Sequence, residues 1–204
     1  MKRKIPCLCE NIFTVEIPEE INLDESSGYI DELMDGSFMN YTCPNCGKKH
    51  KPEFPLMVLW PSRKLRIEAL PEQERREFYR RKKDPEDTQT VIGYPELAER
   101  IAVFRDGLEP VIIETLKYYL LLKAQETYPE GEISIWYQRK SPAGIEFHLH
   151  GLKPGEAAVS QVPAAIYEKT LADYTKHPRG AVFTSLRVRS YLSIQNTMGP
   201  EDPK

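Results

Sequence analysis

Cysteine, histidine and glycine are scarce in this chain, and it has no long apolar run. The 204 residues include four cysteines, four histidines and eleven glycines, against seventeen prolines, which indicates many turns. The most apolar stretch, Val111 to Leu122, is interrupted by Glu114 and Lys117 and is too short to cross a bilayer. The basic residues at the start are not followed by the apolar segment of a signal peptide. We therefore expect a cytoplasmic protein with no membrane partner.

Neither sign of charge dominates the composition. The 28 Lys and Arg residues nearly balance the 31 Asp and Glu residues, which leaves a net charge of -3. No global field therefore draws the chain to nucleic acid, although a local basic patch could still bind it. The sequence also lacks a phosphate-cradling glycine loop, a nucleophile elbow and an HExxH motif. We assign no catalytic residue, and an enzyme is the less favoured class.

The cysteines form two close pairs within the first 46 residues: Cys7, Cys9, Cys43 and Cys46. Zinc prefers four tetrahedral ligands, and thiolates are common in its structural sites. The second pair lies in Cys43-Pro44-Asn45-Cys46-Gly47, where proline fixes a turn and glycine tolerates a positive φ. Backbone N–H groups in such a turn can point at sulfur and stabilise its charge. The spacing predicts one zinc ion bound by all four cysteines.

Four thiolates would make this zinc site structural, because catalytic zinc keeps an open position for water. Three alternatives stay open at this stage. The cysteines could be four ordinary thiols or a redox pair, although the βαβ context of a redox motif is missing. His50 could replace one of the sulfur ligands.

Alternating and helical patterns predict an α+β fold. Residues 1–70 form a zinc-ribbon-like β unit, in which 12–17, 54–60 and 64–70 are strands. Residues 71–90 form a charged helix and linker. Residues 91–204 form a second α+β unit: a helix pair at 94–105 and 108–128, followed by a mixed α/β part. That part is predicted to hold a hairpin at 132–138 and 144–150, a helix at 163–174, a segment 181–194 of either type, and a loose tail from Gly199.

Few polar residues of the second unit stand out. Glu146, His148 and His150 share one face of a predicted strand and could bind a second metal, but solvent exposure of that face is the favoured interpretation. Glu114 is the one carboxylate among apolar residues of its helix, and we expect it at an exposed edge. Tyr137 is predicted to pack in the core.

Two further surfaces suggest partners. Arg75, Arg76, Arg80 and Lys83 could contact phosphates, but the interleaved acidic residues favour a solvated helix with i,i+4 pairs. The apolar cluster at residues 118–122 is predicted to pack against other helices. If both faces stay apolar, it would instead form the seam of a homo-oligomer.

The order of motifs resembles the CpXC domain, a bacterial zinc-ribbon family of unknown function. The resemblance lies in the N-terminal cysteine pair, the following strand, Leu33-Met34-Asp35-Gly36-Ser37-Phe38, and Cys43-Pro44-Asn45-Cys46-Gly47. The run from Gly93 to Lys117 is also similar, so about the first 125 residues are covered. The chain has Pro6-Cys7-Leu8-Cys9 where the family has Cys-Pro-x-Cys. The resemblance implies metal binding and no known reaction.

Three functions follow from these patterns. A non-catalytic intracellular zinc protein that binds a protein partner is the leading hypothesis. A nucleic-acid-binding zinc ribbon is the second. The third is an enzyme whose site lies around Glu146, His148 and His150.

Overall fold

The computed structural model describes residues 1–198, so the tail from Gly199, predicted to be loose, lies outside the described residues. The chain divides into two compact units, Met1–Ala98 and a second unit that begins at Glu99. The predicted boundaries at 1–70, 71–90 and 91–204 stay predictions. Residues 71–90 hold a 3₁₀ turn, a short helix and the beginning of a strand.

The first unit contains two small hairpins and four neighbouring strands of one sheet. Strands β1 (Lys2–Pro6) and β2 (Ile12–Glu16) pair antiparallel, as do β4 (Tyr41–Thr42) and β5 (Lys49–His50). The sheet has the order β8-β7-β6-β3. Its strands are β3 (Glu20–Asn22), β6 (Leu56–Trp60), β7 (Leu65–Leu70) and β8 (Gln89–Ile92), and the helices of this unit are α1 (Gly28–Asp35) and α2 (Arg75–Arg80).

Period-two patterning builds the centre of this sheet. In β6, Leu56, Val58 and Trp60 are buried, while the residues between them are partly exposed. Strand β7 pairs antiparallel with β6, and Val58 lies opposite Ile67. Both side chains are fully buried, so the cross-strand pair anchors the core of the unit. The alternation in the sequence predicted both strands.

The second unit combines helices with five strands. The strands are β9 (Ser134–Ser141), β10 (Gly144–Lys153), β11 (Glu156–Val162), β12 (Arg187–Val188) and β13 (Tyr191–Leu192). Three of them form an antiparallel sheet in the order β11-β10-β9, and β12 pairs with β13 in a hairpin. The helices are α4 (Pro110–Thr127), α5 (Ala164–Lys176) and α6 (Ala181–Ser185), and they follow α3 (Tyr94–Arg105).

Helix α4 starts later than its apolar pattern suggests. The pattern predicts a helix over 108–128, but α4 begins at Pro110, because proline at the first helical position loses no hydrogen bond. Gly107, at φ 67°, separates it from α3. Most of the first half of α4 is buried, so this helix forms the core of the second unit. Tyr137 is also buried, as predicted.

A charged cluster is buried against α4, and it corrects the expectation for Glu114. Glu114 is 5% exposed and Lys117 is 3% exposed. The Lys117 ammonium lies 2.6 Å from Glu99 and 3.0 Å from Glu114. The prediction of an exposed Glu114 is therefore wrong, because its lysine partner and the Ile194 N–H, which donates to it at 2.8 Å, make burial tolerable.

The predicted α+β class with a cysteine-bearing, zinc-ribbon-like β unit at the N-terminus is confirmed. Strands from several sheets and six α-helices occur among the described residues. Within residues 1–198, no helix combines the length and the apolar character needed to span a membrane.

Candidate metal centre

Two turns bring the four cysteines together. Cys7 and Cys9 lie in the turn that joins β1 to β2, and Cys43 and Cys46 lie in the turn that joins β4 to β5. The hairpins therefore each supply one pair of cysteines. Cys7 and Cys43 are buried, Cys9 is half-buried and Cys46 is exposed.

The sulfur positions fit one tetrahedral ion. All four sulfurs lie within 4.8 Å of one another. Cys7 Sγ is 3.5 Å from Cys46 Sγ, and Cys9 Sγ is 3.7 Å from Cys43 Sγ. Zn–S bonds of about 2.3 Å in a tetrahedron place neighbouring sulfurs about 3.8 Å apart. The four cysteines are free rather than joined in disulfides, so every sulfur is available as a ligand.

The two turns share a backbone pattern. In the second turn, the Gly47 N–H donates to the Cys43 carbonyl at 2.9 Å, and Gly47 has φ 72°. In the first turn, the Glu10 N–H donates to the Cys7 carbonyl at 2.9 Å, and Glu10 has φ 67°. Glycine adopts this left-handed conformation without strain, whereas Glu10, which has a side chain, adopts it with backbone strain. The shorter Cys7-Leu8-Cys9 spacing thus makes a tighter, more strained version of the same turn.

Backbone and amide N–H groups surround the sulfurs. Cys43 Sγ accepts from the backbone N–H groups of Asn45 and Cys46, and Cys46 Sγ accepts from that of Lys48. The Asn11 side chain donates to Cys43 Sγ at 3.6 Å, and the Asn45 side chain donates to Cys9 Sγ at 3.5 Å. Such donors stabilise thiolate charge and orient the ligands. Sequence reasoning did not identify Asn11 or the side-chain role of Asn45.

The groups around the sulfurs shift the pKa values of the thiols in opposite directions. Burial alone would raise the pKa of Cys43, but the N–H groups of Cys46 and Asn45 outweigh it and lower that pKa to about 6. The Asn45 side chain lowers the pKa of Cys9. The Lys48 N–H favours the thiolate of Cys46, but the sulfurs of Cys7 and Cys9 outweigh it and raise the pKa of Cys46 to about 12. All four sulfurs can therefore be thiolates only when a cation balances their mutual repulsion.

His50 lies beside the cluster rather than in place of a cysteine. Its Nε2 is 3.3 Å from Cys7 Sγ, and its ring packs edge-on against Phe13 with centroids 5.6 Å apart. Since all four sulfurs already converge, the ring is placed to hydrogen-bond to a ligand. A closed set of four sulfurs leaves no open position for water, so the arrangement suits a structural ion.

The second candidate metal group does not converge in the same way. Among residues 1–198, the four cysteines form the one group of three or more potential ligand side chains close enough to share an ion. Glu146 instead pairs with Arg139 at 2.9 Å and lies 3.5 Å from His148, while His150 is exposed. The opposite face of β10 carries buried Ile145, Phe147 and Leu149. The geometry fits the favoured interpretation of a solvent-facing strand surface.

The basic run is partly neutralised by acidic partners. Arg75 lies 2.5 Å from Glu72 and 3.1 Å from Glu96. Arg81 lies 2.6 Å from Glu68. Of the four residues predicted to contact phosphates, Arg75 already pairs with two carboxylates. Glu96 and Glu68 lie outside the basic run, so these pairs connect it to other elements and are not the predicted i,i+4 pairs.

Comparison with known proteins identifies a family whose matched segment includes the cysteine cluster. A curated relative, an uncharacterized protein of Treponema pallidum (strain Nichols), is 27% identical over 214 aligned residues, which cover 95% of this chain and 97% of the relative. No solved structure matches the chain. The family model described as CpXC protein matches residues 5–117, which is more than half of the chain and includes all four cysteines. The chain therefore belongs to the CpXC family.

Proposed function

We propose that this chain is an intracellular, non-catalytic protein in which a structural zinc ion fixes an N-terminal ribbon for binding to a protein partner. The convergence of four free sulfurs within 4.8 Å carries the proposal. Zinc suits this donor set because it prefers four thiolates in tetrahedral geometry and does not change oxidation state. Free thiols this close together also fit a reducing compartment.

A surface next to the metal turns supports the protein-binding part of the proposal. Leu8, between the two cysteines of the first turn, is 84% exposed, and Ile12 is 63% exposed. Leu8 lies between two of the proposed metal ligands, and Ile12 begins strand β2, so the backbone of both residues is fixed and little conformational freedom is lost on binding. We define Leu8 and Ile12 as the ribbon tip.

Metal content tests the zinc assignment. We expect one zinc ion per chain in the purified protein by native mass spectrometry. Substitution by Co²⁺ should give the spectrum of a tetrahedral tetrathiolate site. Because Glu146, His148 and His150 do not converge with further ligands, the double variant His148→Ala/His150→Ala should keep the same zinc content. Two zinc ions in the parent and one in the variant would contradict a single site.

Site-specific cross-linking tests the partner. A photo-reactive residue at position 8 should give a discrete protein adduct in cells of the native host. The same residue at position 159 is the control, because Val159 is 64% exposed and lies in the other unit. Ile12→Ser should reduce the adduct at position 8 while leaving zinc content unchanged. Equal labelling from both positions, or none from position 8, would argue against the ribbon tip as a protein-binding surface.

A further inference from the structure

A cavity of about 420 Å³ in the second unit is lined by arginines and aromatic rings. Its walls come from the end of α5, the segment before α6, α6 itself and the β12 hairpin. This volume lies within the range of small-molecule sites. The residues used below are Tyr174, Arg179, Phe183, Thr184, Arg187 and Arg189.

The sequence around this cavity is strongly basic. Between Tyr174 and Met198 the chain contains no Asp or Glu, although it has 31 of them among its 204 residues. The same stretch contains Lys176, Arg179, Arg187 and Arg189. This stretch therefore contributes three arginines and no carboxylate to the lining of the cavity.

Two of the lining arginines carry charge that the described part of the chain leaves unbalanced. Within residues 1–198, the side chains of Arg179 and Arg187 form neither an ion pair nor a hydrogen bond. Other arginines of this unit behave differently. Arg139 pairs with Glu146, and Arg105 pairs with Asp106, both at 2.9 Å. Arg179 and Arg187 are thus placed to bind an anion from solution.

Apart from a third arginine, Arg189, and Thr184, the remaining lining is apolar or aromatic. The rings of Tyr174 and Phe183 pack edge to face with centroids 5.0 Å apart. Phe183 is buried, and Val111 of α4 contributes a fully buried aliphatic wall. The Thr184 hydroxyl donates within its own helix, to the Gly180 and Ala181 carbonyls, and keeps its acceptor capacity. A ligand of this cavity therefore needs an anionic end and an apolar or aromatic end.

We propose that this cavity binds a small organic phosphate, in which an apolar or aromatic group carries a phosphomonoester. The guanidinium forks of Arg179 and Arg187 match phosphate oxygens, which they can bind in pairs of hydrogen bonds. A phosphomonoester carries between one and two negative charges near neutral pH, enough to balance two arginines. The Tyr174 and Phe183 wall receives the organic group.

Calorimetric titration of the full chain with phenyl phosphate at pH 7.5 tests the site. We expect saturable binding at one site per chain. Inorganic phosphate should bind at least about tenfold more weakly, because it lacks the part that contacts the aromatic wall. Phenol should bind more weakly still. Equal affinity for phenyl phosphate and inorganic phosphate, or no binding of phenyl phosphate, would overturn the assignment.

Charge-neutral variants locate the site. Arg179→Gln and Arg187→Gln should each weaken phenyl phosphate by about tenfold or more, since each removes a charge-assisted contact. Lys176→Gln is the matched control, because Lys176 is exposed and basic but does not line the cavity. All three positions are exposed, and circular dichroism of each variant should match the parent. Equal weakening by all three variants would indicate a diffuse field and contradict a built site.

A further experiment distinguishes a small metabolite from the end of a nucleic acid as the source of the phosphomonoester. A 5′-phosphorylated single-stranded oligonucleotide carries the same group as a small metabolite. Binding of the oligonucleotide with a steep salt dependence, equal with and without its terminal phosphate, would overturn the small-molecule assignment. Competition by phenyl phosphate at the affinity found for it alone would support that assignment.

Discussion

Cys43→Ser should abolish zinc binding and destabilise the first unit by at least about 3 kcal/mol, the largest effect that we expect at the N-terminus. Cys43 is 1% exposed, and its sulfur receives the most N–H donors of the four. The hairpins β1–β2 and β4–β5 have only two strands each, and β4 and β5 are two residues long. Isolated two-stranded hairpins are at best marginally stable in water. Under the proposed structural role of the metal, its binding supplies much of the stability of these hairpins.

Hydrogen exchange measures this effect locally. In Cys43→Ser, amides of β1, β2, β4 and β5 should lose protection, and a chelator should produce the same loss in the parent protein. Lys48→Ser is the matched control in the same turn, since it removes an exposed side chain but keeps the N–H that faces Cys46. Unchanged protection in Cys43→Ser would mean that the hairpins fold without the metal, and the structural assignment would be wrong.

The clustering of the four cysteines was predictable from the sequence, but the groups around them were not. The Cys43-Pro44-Asn45-Cys46-Gly47 run encodes its own turn, because the glycine conformation and the N–H directions are local. Asn11 could not be identified in this way. Its side chain reaches Cys43, 32 positions away, and that contact depends on how the two hairpins pack. Local sequence therefore indicates which cysteines come together, while tertiary packing decides which other side chains contact their sulfurs.

For the fold as well, local sequence patterns predicted some elements, while tertiary contacts determined others. Strands β6 and β7 followed from alternation, because each buries one face. Residues 181–194 could not be assigned, because the segment contains a five-residue helix and two strands of two residues each. Elements this short have no period to detect, and pairing partners decide their conformation.

Glu114 is the clearest failure of local reasoning, and a signal for it was present. Lys117 follows Glu114 by three positions, which is a spacing that pairs side chains on a helix. The second partner, Glu99, lies on a different helix and could not be linked from sequence. The cluster places two carboxylates and one ammonium in the interior, so the lysine holds together a group that would otherwise be costly to bury.

Lys117→Met should therefore destabilise the second unit by about 3–5 kcal/mol, because it leaves Glu99 and Glu114 buried without a cation. Lys123→Met is the matched control, since Lys123 is an exposed lysine of the same helix, and it should change the free energy of unfolding by less than about 0.5 kcal/mol. Denaturant unfolding measures both variants. Similar small losses in the two would mean that the buried ion pairs contribute little.

The pH dependence of Lys117→Met separates lost charge compensation from lost packing. Burial is the main cause that raises the pKa of Glu99 from 4.5 to about 7 in the parent, and the Glu114 carboxylate adds to it. Burial alone would lower the pKa of Lys117, but the carboxylates of Glu114 and Glu99 outweigh it and raise that pKa, so the ammonium stays charged.

Folding then binds a proton at Glu99 more tightly than the unfolded chain does. The stability that Glu99 contributes is complete below about pH 4.5 and is lost as the pH rises through about 7. Removing the ammonium raises the pKa of Glu99 further, so the decline of stability should continue to higher pH, and be larger in total, in Lys117→Met than in the parent. If Lys117→Met lowered the free energy of unfolding by the same amount at pH 5 and at pH 8, the effect would come from packing of the lysine stem rather than from its charge.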